Sequence, residues 1–127
     1  MVIEIINIPS VELEWCEWVA WNNLKVDARD TFGIKVPNKA GIYEVKYVDT
    51  EERLTIGKAK NLSMRVKQGL VKGTIPHSTG EKIRPNEDVS KIIVRWAVTD
   101  RPAAVEEELH KRYQDKFGKL PKYTKHT

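Results

Sequence analysis

The sequence predicts an α+β fold with a small, mainly antiparallel, three-stranded central sheet flanked by helices and preceded by a strand-helix extension. Three observations carry this. Residues 41–48 alternate, with Tyr43, Val45 and Tyr47 on one face and Ile42, Glu44, Lys46 and Val48 on the other. The polar stretch Asp49-Thr50-Glu51-Glu52 then separates them from a second extended run over residues 53–57. So short a link makes the pair an antiparallel hairpin. Residues 91–98 alternate again, Ile92, Val94, Trp96 and Val98 against Ile93, Arg95 and Ala97, and helical patterns lie on either side of this third strand.

The remaining elements follow in order. Residues 2–8 are rich in β-branched side chains and stop at Pro9, which reads as a short strand. Ser10 is placed to cap a helix in which Val11, Trp15, Trp18 and Val19 recur at helical spacing, ending near Leu24. Residues 25–40, with Gly33 and Pro37, read as loop. Asn61 caps a helix that starts at Leu62 and stops near Gly69 or Gly73. Residues 71–90, punctuated by Gly73, Pro76, Gly80 and Pro85, read as loop. Pro102 opens a last helix that runs to about Phe117 and ends at Gly118. Residues 1–40 are expected to form an extension packed on a domain spanning 41–127.

Bulk properties limit the function classes. At 127 residues the chain fits one domain with one modest core. No apolar run approaches the ~20 residues of a membrane span. Residues 1–8 lack a basic start and a small-residue cleavage site, so they read as a strand and not a leader. The single Cys16 has no partner for an internal disulfide, which fits a reducing, cytoplasmic setting. Hydrophobic residues are 40% and charged residues 31% of the chain, ordinary for a soluble protein. The net charge of +4 hides an asymmetry. Residues 53–84 hold Arg53, Lys58, Lys60, Arg65, Lys67, Lys72, Lys82 and Arg84 against one acid, Glu81, whereas residues 1–30 are acidic. A basic middle suits a polyanion such as DNA, and equally a solvated lysine-rich face. His77, in the stretch Pro76-His77-Ser78-Thr79-Gly80, has the side chain suited to carrying a proton near neutral pH, or is an exposed loop residue. Lys72, Lys82 and Arg84 flank the same stretch as candidate DNA-backbone contacts. Trp15, Trp18 and Trp21 suit a helix packed on the domain or, if exposed, a protein-interaction face.

Four segments occur in a telling order: Gly41-Ile42-Tyr43 opening a strand, Thr55-Ile56-Gly57 in its partner, residues 58–65 reading Lys-Ala-Lys-Asn-Leu-Ser-Met-Arg, and the helical run Glu106-Glu107-Glu108-Leu109-His110-Lys111-Arg112-Tyr113 followed by Pro121-Lys122-Tyr123-Thr124. Together they resemble the GIY-YIG nuclease superfamily, the third segment being closest to the nuclease domain of the bacterial excision-repair endonucleases. The resemblance covers residues 41–124. It implies a magnesium- or manganese-dependent endonuclease acting on DNA, with a role in DNA repair among the possibilities and a protein partner supplying targeting.

The resemblance also implies roles. Glu106 would hold the divalent ion, for which one carboxylate plus waters and phosphate oxygens is a suitable set. Arg65 would bind the scissile phosphate through its planar fork and stabilise transition-state charge, with Lys58 beside it. Tyr43 would act as general base or orient the attacking water, which requires nearby cations because a free phenol titrates near 10. Lys60 and Lys67 would extend the phosphate-binding surface. His110 is expected to support the site. The chain departs from the family pattern at Thr55 for the second tyrosine, at Gly69 for a tyrosine or histidine one turn past the arginine, and at Thr124 for an asparagine. These departures shift water activation onto Tyr43, Lys58 or His77. They also leave open a GIY-YIG-like module that binds nucleic acid without cutting it, and a protein-interaction domain using the Trp-rich segment.

Overall fold

The computed structural model describes residues 12–25 and 34–124, and the expected strand over residues 2–8 lies outside them. Four antiparallel strands form one sheet in the order β1-β4-β2-β3. They are β1 (Val19–Ala20), β2 (Gly41–Tyr47), β3 (Thr55–Ala59) and β4 (Ile92–Val98). A 3-10 turn, Trp21–Leu24, follows β1, and a second, Val89–Lys91, precedes β4. Three longer helices complete the domain: α1 (Ser63–Lys72, π-type), α2 (Ser78–Asn86) and α3 (Pro102–Phe117). Among the described residues no helix is long and apolar enough to cross a membrane.

The hairpin forms as the alternation requires. Tyr43 faces Gly57 and Val45 faces Thr55 across β2 and β3, while Tyr43 also faces Trp96 of β4. Each cross-strand pair shares a sheet face. The first face carries Tyr43, Val45, Val94 and Trp96, and it is covered by Val66 and Leu70 of α1, Ile83 of α2, and Trp21 and Leu24. The second face carries Ile42, Ile56 and Ala97, packed under Val105 and Tyr113 of α3. Gly41 is needed at the start of β2 because a Cβ there would overlap the Ala97 carbonyl and the Leu62 side chain. Two helices end on glycines in the left-handed region, Gly73 at φ 72° and Gly118 at φ 71°.

Four expectations are corrected. The sheet has four strands and not three, because Val19 and Ala20 pair with Val94 and Ile93. Residues 12–18 are extended and not helical. Glu12 and Glu14 are exposed where Leu13 and Trp15 are half-buried, a period of two that the more conspicuous tryptophan spacing obscured. This strap runs along β4, the Cys16 amide donating to the Trp96 carbonyl at 3.0 Å and the Trp96 amide to the Cys16 sulfur at 3.2 Å. Residues 78–86 form a helix where loop was expected. Gly80 there is a packing glycine: a Cβ would come within 2.8 Å of the Leu70 carbonyl oxygen where α2 crosses α1. Lastly, the second strand of the hairpin spans Thr55–Ala59 and not 53–57, so Gly57 lies in its middle.

The strap gives Trp15 and Trp18 a definite role. The Arg95 guanidinium lies 4.1 Å from the Trp15 ring centroid and 4.6 Å from that of Trp18, and Lys46 and Arg53 also lie over Trp18. Beneath them Glu44, 4% exposed, pairs with Arg95 and Arg53. Burying that carboxylate is tolerable because two guanidiniums neutralise it, and the indoles shield the cluster from water. Trp21 is fully buried, so the described tryptophans do not form an exposed row.

Candidate active site

Tyr43 is the centre of the most unusual polar cluster on the first sheet face. Its ring lies over Gly57, where any Cβ would overlap the phenol carbons and oxygen. The glycine of the second segment is thus the platform for the tyrosine of the first. From α1, Arg65 donates a hydrogen bond to the phenol. From the start of α2, His77 Nε2 lies 3.1 Å from the phenolic oxygen. Glu106, half-buried on the first turns of α3, is close enough for its charge to act on the same oxygen. Tyr43 and His77 thus meet directly, with Arg65 and Glu106 near enough for their charges to act on the phenol, although the four come from separate elements.

The hydrogen bonds define the protonation of His77. It caps α2, its Nδ1 accepting from the Gly80 amide at 3.0 Å. A neutral imidazole has one donor and one acceptor nitrogen, so Nε2 carries the proton and donates to the Tyr43 oxygen. Burial, then the positive charges of Arg65 and Arg84, push the His77 pKa down to about 4. The ring is neutral at pH 7. It supports the phenol as a donor and, at 1% exposure, is not the exposed loop residue that was one of its two readings. Its place is made by Gly69, where a Cβ would lie 3.1 Å from the His77 Cδ2.

Tyr43 thus receives two donors, leaving its own O–H free for a third group. Burial pushes its pKa up to about 12, opposed by the charge and hydrogen bond of Arg65 and reinforced by Glu106. Added positive charge is what this phenol needs in order to ionise nearer neutral pH. Among the described residues no group of three or more His, Cys, Asp or Glu side chains could hold a metal ion.

The other expected residues separate into groups. Lys58 and Lys60 are exposed at the end of β3, on the rim of a groove that also includes Arg65. Lys67 and Lys72 are half-buried on α1, and Lys82 is exposed on α2. Arg84 faces inward: its Nη1 donates to the Gly69 and Leu70 carbonyls, each at 2.9 Å, closing the end of α1. His110 is 2% exposed, and its Nε2 lies 2.9 Å from the Ile56 carbonyl, tying α3 to β3. The Thr55 and Thr124 hydroxyls meet at 3.3 Å, and Thr124 also accepts from the Ile56 amide at 3.4 Å. The roles of Gly57 and Gly69 as spaces for Tyr43 and His77 were not read from the sequence. Glycine can signal close approach, but not of which side chain.

No protein-family model matches the chain, and neither the curated proteins nor the solved structures include a significant match.

Proposed function

We propose that this protein is a metal-dependent DNA endonuclease of the GIY-YIG type, hydrolysing phosphodiester bonds at the Tyr43 cluster. The observation that supports the reading is the contact of Tyr43 with His77 within reach of the charges of Arg65 and Glu106. Three of these are the residues on which the sequence resemblance places the chemistry. The departures from the family pattern are met by local substitutions. Thr55 and Thr124 bond to each other, and the space left by Gly69 is occupied by His77.

Each side chain has a task consistent with its surroundings. Arg65 presents donors to a phosphate and stabilises charge on its oxygens. Tyr43, its oxygen held by His77 and Arg65, directs its O–H to orient the attacking water. His77 keeps the phenol in place through a fixed Nε2–H donor. Lys58 supplies charge at the rim. A divalent cation held by Glu106 would polarise the phosphate and lower the pKa of the groups around it.

The test is nicking of supercoiled plasmid with Mg²⁺ or Mn²⁺, comparing wild type with Tyr43→Phe, Arg65→Ala and Glu106→Ala. Loss of nicking in all three variants, with folding retained, is the expected result. Absence of cleavage by the wild type in either metal, on plasmid and on branched DNA, defeats the proposal. DNA binding without cleavage would favour the binding-module reading, for which Thr55 is the motivating observation, since a threonine has no ionisable phenol.

A further inference from the structure

A groove of about 540 Å³, which shares Arg65 with the Tyr43 cluster, lies between the end of β3, the first turn of α1 and the first turn of α3. Its size falls within the ~300–1,000 Å³ range of small-ligand pockets. Two kinds of surface line it. Lys58, Lys60 and Arg65 supply positive charge, and no lining residue is acidic. Met64, Ile75 and Ala103 supply an apolar floor, with Met64 51% exposed. The amides at the start of α1 are already bonded. The Met64 amide donates to Asn61 Oδ1 at 3.1 Å, Ser63 to the Pro37 carbonyl and Arg65 to the Asn61 carbonyl. An anion in the groove therefore relies on the three side-chain cations.

Phosphate alone explains the cations but not the floor. A duplex keeps its bases stacked inside and offers a wall such as this only its charged backbone. An unpaired nucleotide offers both parts: a phosphate for Lys58, Lys60 and Arg65, and a flat base to cover the thioether and the aliphatic side chains. Sulfur contacts with an aromatic ring are favourable, and cationic grooves with stacking floors are how single strands are generally bound. We infer that this groove holds an unpaired nucleotide of single-stranded DNA next to the phosphate bound by Arg65. The inference rests on the nuclease reading and names its substrate class: DNA with an unpaired segment beside the scissile bond. The base lies against Met64 and Ile75, and the strand leaves past Lys60.

The experiment measures fluorescence anisotropy of the full chain with a labelled oligothymidylate, the same strand carrying one abasic position, and a duplex of equal length. Wild type should prefer the single strand over the duplex by tenfold or more. The abasic strand and the Met64→Ala variant should each reduce that preference by about fivefold, the scale of one lost stacking contact. The abasic arm uses unaltered protein, so it does not depend on the variant's folding. Equal affinity for single strand and duplex, or a preference indifferent to both the abasic position and Met64→Ala, overturns the inference. If plasmid is still nicked in that case, the nuclease reading stands alone. If no DNA form binds, both fall.

Discussion

Tyr43 and Tyr47 lie four residues apart on the same strand and the same sheet face, yet their hydroxyls meet partners of different charge. Tyr43 receives: His77 Nε2–H and Arg65 both donate to its oxygen. Tyr47 also gives: its oxygen accepts from the Asp88 amide at 3.1 Å, but its hydroxyl donates to Glu87 Oε1 at 2.6 Å, while Lys122 and Tyr123 bond Glu87 Oε2 at 2.7 and 2.5 Å. Partial burial pushes Glu87 up, but the bonds from Lys122, Tyr123 and Tyr47 outweigh it and bring its pKa down to about 2. A phenol that donates to a carboxylate is held protonated. A phenol that receives donors has its charged form favoured by them, although at Tyr43 burial outweighs this and keeps the pKa up at about 12. The first arrangement ties the C-terminal segment to the sheet, and the second is available for chemistry. Strand position does not decide the role of a tyrosine here; the sign of its partners does.

The largest expected effect breaks this comparison on the Tyr43 side. Arg65→Ala should lower nicking by about 10²–10³-fold, the usual cost of removing a donor to developing transition-state charge, with the thermal midpoint little changed. An unchanged rate would show that Arg65 is merely a surface cation. Gly57→Ala should be nearly as damaging, because the added methyl displaces the Tyr43 ring. It should also cost about 1–3 kcal/mol in denaturant unfolding, as overpacking does.

The effect of acid on stability comes next, and it separates the two regions by pH. His77 has a folded pKa of about 4, below the usual 6.5. The unfolded chain thus binds the proton first, and stability falls as pH drops from 6.5 towards 4. The full shift corresponds to roughly 3 kcal/mol at most. Glu87 has a folded pKa of about 2 against 4.5, so its contribution is present above 4.5 and is lost as pH falls from there towards 2. Urea melts at a series of pH values should show both windows. His77→Gln should flatten the upper one only, and Glu87→Gln the lower one only. A smaller effect belongs to Tyr47→Phe. It should cost about 1–2 kcal/mol of stability, as for a lost bond to a charged group, and leave nicking within about twofold of wild type.

Much of the scaffold was legible in the chain itself. The alternation in residues 41–47 and 92–98, the cap at Asn61, Pro102 at the start of α3 and Gly118 at its end are local signals, and the structure places elements where they indicate. Tyr43, Arg65 and Glu106 were picked out by the order and spacing of the four resembling segments. What failed were stretches whose pattern serves a neighbour. Gly80 and Pro85 look like loop punctuation until α1 is present for Gly80 to pack against. Trp15 and Trp18 look helical until Arg95 and Arg53 stand beneath them.

His77 shows most clearly where sequence stops. Its identity and setting leave two readings, a proton carrier near neutral pH or an exposed loop residue. The tertiary structure buries the ring, turns Nδ1 to the Gly80 amide, and sets Nε2–H against Tyr43 over the gap left by Gly69. Local periodicity determined which residues lie on which strand face, because a backbone repeat is a short-range property. Which donors surround a given oxygen depends on residues far away along the chain. Only the packing of the helices onto the sheet decided that Tyr43, and not Tyr47, meets His77 and the charge of Arg65.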